Sequence, residues 1–161
     1  MSPWRIDAPE SCPSLPPVRQ VESVLAYVVR DGWLLVLRPA ARPEASVQVP
    51  EGRLNDGESI RAAVVRHVAE TTGLGTGIAG YLGVTEYDMR PHGHDQVQQR
   101  HVFQLACGDD RVPETWEHPG PAAVNGAEPQ WRVLWWHPLD DPDLPRALTS
   151  GQGALLDRIR R

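Results

Sequence analysis

Residues 49–74 read VPEGRLNDGESIRAAVVRHVAETTGL, and this stretch decides the fold. Asp56-Gly57 turns the chain, and Ser59 is placed to cap a following helix. Ile60, Val64 and Val68 recur at i, i+4 and i+8, which puts them on one helix face. Gly73 stands where a left-handed residue stops the helix. Arg66 and Glu70 lie one turn apart, the spacing of an ordinary helix ion pair. Upstream, "VQVPEGRL" is a short strand that breaks at Pro50 and Gly52.

Working outward, "VESVLAYVVR" (21–30) reads as a strand rich in β-branched residues. Asp31-Gly32 signals a type I′ hairpin, and "WLLVLRP" (33–39) returns as the second strand. Residues 40–46 form a loop. After the helix, "AGYLGVTEYDMR" (79–90) and "DQVQQRHVFQLAC" (95–107) are two more strands, with a turn at 91–94. A polar, Pro-rich stretch at 108–129 reads as loop, and "QWRVLWWHP" (130–138) as a late strand. "TSGQGALLDRIRR" (149–161) reads as an amphipathic helix, with Leu155, Leu156 and Ile159 facing inward. The order β-β-β-α-β-β-loop-β-α is mixed α/β. Strands apolar on both faces call for a sheet covered on both sides.

Composition narrows the partners. The chain of 161 residues has the length of one domain, and 40% hydrophobic content supplies its core. A net charge of −5 disfavours nucleic acid as a partner, although a bound cation would still permit a small phosphate ligand. Residues 1–17 hold five prolines and read as an arm preceding a domain at 18–161. That arm lacks the apolar core of a signal peptide, and no stretch approaches the about 18–20 apolar residues of a membrane span. Cys12 and Cys107 read as two separate reduced thiols. A cytoplasmic protein without membrane contact is expected.

Cleaving a diphosphate means holding and neutralising its charges, usually with Mg²⁺ or Mn²⁺ and oxygen ligands. A helix carrying carboxylates at i, i+3 and i+4 presents them together. A glycine loop before the helix lets backbone approach the metal and the phosphates. The stretch resembles the Nudix box of MutT-like hydrolases, G-x5-E-x7-R-E-U-x-E-E-x-G-U, where U is a bulky aliphatic. Gly52, Glu58, Arg66, Val68, Glu70, Gly73 and Leu74 fit it. His67 stands where the first acid after Arg66 belongs, and Thr71 replaces the second acid of the late pair. The resemblance extends over residues 18–161 and implies an α-β-α sandwich with a mixed sheet.

The same resemblance implies catalytic-site roles for Glu58, Arg66 and Glu70. Glu70 would ligate a divalent metal, while Glu58 and Arg66 would orient loop and helix. Glu51 and Gly52 would line the metal site. His67 has two readings: a ligand suited to Mn²⁺, Ni²⁺ or Zn²⁺ and able to share an ion with Glu70, or a partly buried helix residue binding nothing.

Other candidates lie outside the box. His92 and His94 sit in a loop, either as surface residues or reaching over a substrate or completing a metal site. His101 shares a strand face with Val97, Gln99, Phe103 and Leu105. It is either a core-edge residue or a substrate-pocket residue. Glu86, Asp88, Glu117 and Glu128 are all available as a base, with Glu86 also a substrate contact. Trp116, Trp131, Trp135 and Trp136 either stack a nucleobase or fill core, Trp116 being the first pocket candidate because it reads as loop.

Three functions remain open. The first is metal-dependent hydrolysis of a nucleoside diphosphate linked to another group, weakened by two lost acids. The second is binding of such a ligand without cleavage. The third is an interaction domain, with a homodimer as one form. Specificity would lie in loops 40–46, 88–96 and 108–129.

Overall fold

The β-branched run RQVESVLAYVVR forms the first strand, β1 (Arg19–Arg30). Asp31 and Gly32 both take positive φ, 51° and 83°, as a type I′ turn requires, and β2 (Trp33–Pro39) returns. The structure is a computed structural model describing residues 18–109, 111–121 and 128–160. The expected arm at 1–17, with Cys12, lies outside the described residues.

After β3 (Glu51–Arg53) comes α1 (Ile60–Thr72). The Ser59 hydroxyl accepts from the Ala62 N–H at 3.1 Å, satisfying one free donor of the first turn. Gly73, at φ 80°, closes the helix by donating its N–H to the Ala69 carbonyl. β4 (Thr76–Asp88), β5 (Gln96–Cys107), β6 (Thr115–Pro119) and β7 (Trp131–Pro138) follow, then α2 (Leu144–Ala147).

Among the described residues, seven strands make one mixed sheet in the order β4-β5-β1-β2-β7-β6, with β3 joined to β1 off that path. β1 and β5 run parallel, and the other pairs are antiparallel. On one face, Ala63, Val64 and Val68 of α1 pack with Val24, Phe103, Leu134 and Trp136. On the other, Leu144, Leu148 and Leu155 cover Leu25, Tyr27, Leu34 and Val102. Helical layers on two sides of a mixed sheet give the expected sandwich.

Three expectations are corrected. The 108–129 segment is not all loop, because Thr115–Pro119 pairs with β7 and puts Trp116 on a strand. The short strand at 47–54 shrinks to Glu51–Arg53, with Val47 and Gln48 making only isolated bridges. Residues 149–160 are not one helix but 3-10 turns at Thr149–Gly151 and Leu156–Arg158. Ser150 and Gly151 take positive φ, 55° and 69°, which breaks helical geometry. Gly153 packs against the Pro145 backbone so tightly that a Cβ would lie 2.5 Å from its carbonyl oxygen. Leu155, Leu156 and Ile159 still face inward, as their periodicity implies.

One departure from a regular sheet makes the site. β1 and β2 pair only at Val29–Leu34 and Arg30–Trp33 and then separate. Into the gap comes the 47–53 segment. Glu51–Arg53 pairs with Ser23–Leu25 of β1, while Gln48 exchanges two 2.9 Å bonds with Leu37 of β2. Pro50 cannot donate a ladder bond, but its carbonyl accepts from Ala26 at 2.9 Å.

Candidate functional site

A cavity of about 530 Å³ opens at this seam, with Gly52, His67 and Thr71 among its lining residues. Beside it, the box builds an ion network. Arg66 holds Glu58 with two bonds, Nε to Oε2 at 2.7 Å and Nη2 to Oε1 at 2.9 Å. It also donates to Glu70 Oε2 at 2.9 Å and to the Arg53 carbonyl at 3.1 Å. This guanidinium therefore ties the loop after β3 to α1. Its hydrogen bond, seconded by the Asn55 N–H, holds the Glu58 carboxyl at about 2, below its ordinary 4.5.

His67 points into the seam. Its Nε2 lies 3.2 Å from Thr71 Oγ1, so the two residues that replace acids bond to each other. Its ring packs on Gly52: a Cβ there would lie 2.3 Å from Nδ1. Burial pushes the imidazole pKa down, helped by the Arg66 charge and opposed by Glu70 and by a hydrogen bond with the Glu51 backbone. The ring is thus held neutral against the loop.

A divalent cation bound mainly through oxygen does not fit these donors. Glu70 does not line the cavity, and one of its oxygens, Oε2, is paired with Arg66. Glu51 does line it, but Arg100 Nε holds its Oε1 at 2.8 Å and Gln152 Nε2 its Oε2 at 2.9 Å. His67 is shared between Thr71 and the loop. Among the described residues, no three His, Cys, Asp or Glu side chains converge as a metal-holding group.

The remaining candidates are scattered. His92 lines the cavity, stacked on Tyr87 at 5.8 Å between centroids; His94 does not line it. His101 lies outside, with Nδ1 3.1 Å from the Tyr81 hydroxyl and Nε2 3.5 Å from Glu22. Exposed Glu86 accepts from Gln99 at 2.7 Å, and Asp88 is paired with Arg90. Glu117 and Glu128 are exposed and outside the cavity. Trp116 packs against the α1-side core and donates Nε1 to the Thr72 carbonyl at 2.9 Å. None of the four candidate tryptophans lines the cavity, and Trp131 is half exposed. Among the described residues, Glu51 is thus the only carboxylate on the cavity wall.

Sequence reading passed over Arg100 and Arg132, which both line the cavity. A signal was present. Arg132 shares a strand face with Leu134 and Trp136, and Arg100 shares one with Val102, so each charge interrupts an apolar stripe.

Known structures share this architecture. A MutT NUDIX hydrolase from Burkholderia pseudomallei is 24% identical, with a TM-score of 0.64 over 88% of this chain and 99% of its own. An ADP-ribose pyrophosphatase from Streptococcus suis is 12% identical, with a TM-score of 0.57 over 86% of this chain and 87% of its own. A UDP-X diphosphatase is 17% identical, with a TM-score of 0.59 over 91% of this chain, which spans only 64% of that protein. No curated protein matches the chain. No helix among the described residues is long and apolar enough to cross a membrane. The NUDIX domain family model matches residues 19–159, and with the box and the sandwich in register the chain belongs to the NUDIX family.

Proposed function

We propose that this chain takes a nucleoside diphosphate linked to another group into the seam cavity, and that the replaced box serves to hold that ligand rather than to cleave it with a metal. One observation carries the reading: His67 and Thr71 bond to each other over Gly52, where the family's box carries acids. The cavity volume is within the range of small-ligand sites, and similar folds include a UDP-X diphosphatase and an ADP-ribose pyrophosphatase. A cytoplasmic setting belongs to the same proposal.

The second reading is slow hydrolysis, favoured by the intact Glu58–Arg66–Glu70 network. Calorimetry and product analysis across nucleotide sugars, dinucleotides and nucleoside triphosphates separate the two, with Mg²⁺ and Mn²⁺ tested in turn. The binding reading expects saturable heat without product from the wild type, and product from His67→Glu/Thr71→Glu. Wild-type turnover that Glu70→Gln abolishes would replace it with the hydrolase reading.

A further inference from the structure

The seam cavity carries more positive charge than its own acid neutralises. Arg53, Arg100 and Arg132 line it with the single carboxylate of Glu51. Arg100 is fully engaged: it pairs with Glu51, donates to the Ser150 carbonyl and lies 4.1 Å over the Tyr87 ring. Among the described residues, the Arg53 side chain meets only the neutral oxygen of Gln96, at 3.0 Å. Arg132 is partly buried as a residue, and its guanidinium has no acid or acceptor among the described residues. Burial alone moves its pKa, downward, with no carboxylate opposing the shift. Gly120 makes room for this side chain, since a Cβ there would lie 2.6 Å from Nη1. A second group in the cavity wall is also unmatched: the Ser23 hydroxyl is buried and has no partner among the described residues.

A guanidinium that lines the cavity and meets no carboxylate leaves its charge to solvent, and a bound anion would pair it. Its planar fork matches two phosphate oxygens at once. We propose that Arg132, with Arg53 as a second cation, holds the diphosphate of the ligand and neutralises it in place of a divalent ion, so that binding needs no metal. This rests on the binding reading above and names the residues and charge balance behind it.

The test is calorimetric titration of the full chain with inorganic pyrophosphate and, separately, UDP-glucose, first in EDTA and then in Mg²⁺. At least one of the two should bind saturably in EDTA. Arg132→Gln should weaken that binding by about tenfold or more. Arg132→Lys should recover part of the loss, because it keeps the charge and loses the fork. Arg146→Gln, at an exposed position away from the cavity, should bind as the wild type does. Thermal melts of each variant report folding, and if Arg132→Gln does not fold, a several-fold loss in Arg132→Lys carries the comparison. Binding that appears only with Mg²⁺ would overturn the metal-free assignment and leave the binding reading standing. Equal affinity in wild type and Arg132 variants would remove Arg132 from the site. No binding of any nucleotide ligand under either condition would overturn both the inference and the reading beneath it.

Discussion

His67 packs so closely on Gly52 that a methyl group at position 52 would collide with the ring. Gly52 does not have a positive φ, so the cost of an added Cβ there is steric. Gly52→Ala should therefore lose roughly 1–3 kcal/mol in denaturant unfolding. Gly52→Ala/His67→Ala should recover most of that loss; a double variant as unstable as the single one would place the cost in the backbone. Glu58 supplies a pH test. Its folded pKa of about 2 lies below the ordinary 4.5, so its stabilisation is complete above 4.5 and is lost as pH falls toward 2. The wild type should melt above Glu58→Gln at pH 6, and the two should converge near pH 2. Equal melting at pH 6 would mean that Arg66 is held well enough by Glu70 alone. These box residues were legible because their partners are local. Arg100 and Arg132 were not, because only the folded sheet brings them to the cavity.

The elements divide by the range of the forces that form them. α1 was legible from Ser59 to Gly73 because cap, stripe and stop all lie within one segment. The β1–β2 turn was legible because Asp-Gly meets its own backbone requirement. β6 was hidden in a polar, Pro-rich stretch, since its five residues are specified by pairing with β7 rather than by a long apolar alternation. The C-terminal segment misled in the opposite way. Leu155, Leu156 and Ile159 have helical spacing, but Ser150 and Gly151, both at positive φ, force separate turns. Gly153→Ala should cost roughly 1–3 kcal/mol, because rigid Pro145 backbone occupies the space. Gly75→Ala, facing open space, should stay within about 0.5 kcal/mol of wild type. Similar losses at both sites, measured by chemical unfolding, would refute the close-packing account.

At the scale of the molecule, Arg100 joins three parts that are distant in sequence. It sits on β5, pairs with Glu51 on β3 and donates to Ser150 in the C-terminal turns. With its side chain only 3% exposed, Arg100→Met should cost about 3–5 kcal/mol by leaving Glu51 without its countercharge. Arg100→Met/Glu51→Met should cost less than Arg100→Met alone; in a double-mutant cycle, additive losses would show that the pair is not coupled. The sheet order has a consequence for how the chain is made. β1 meets β2 at only two register pairs, and its long partner is β5, which joins it in parallel from Arg19–Gln96 to Val29–Ala106. During synthesis β1 leaves the ribosome well before the strand that completes it. Until β5 follows, the apolar run from Val24 to Val28 has an open edge, and folding waits on a distant closure. In that interval the unpaired apolar edge of the nascent chain is open to aggregation, before the seam exists to receive any ligand.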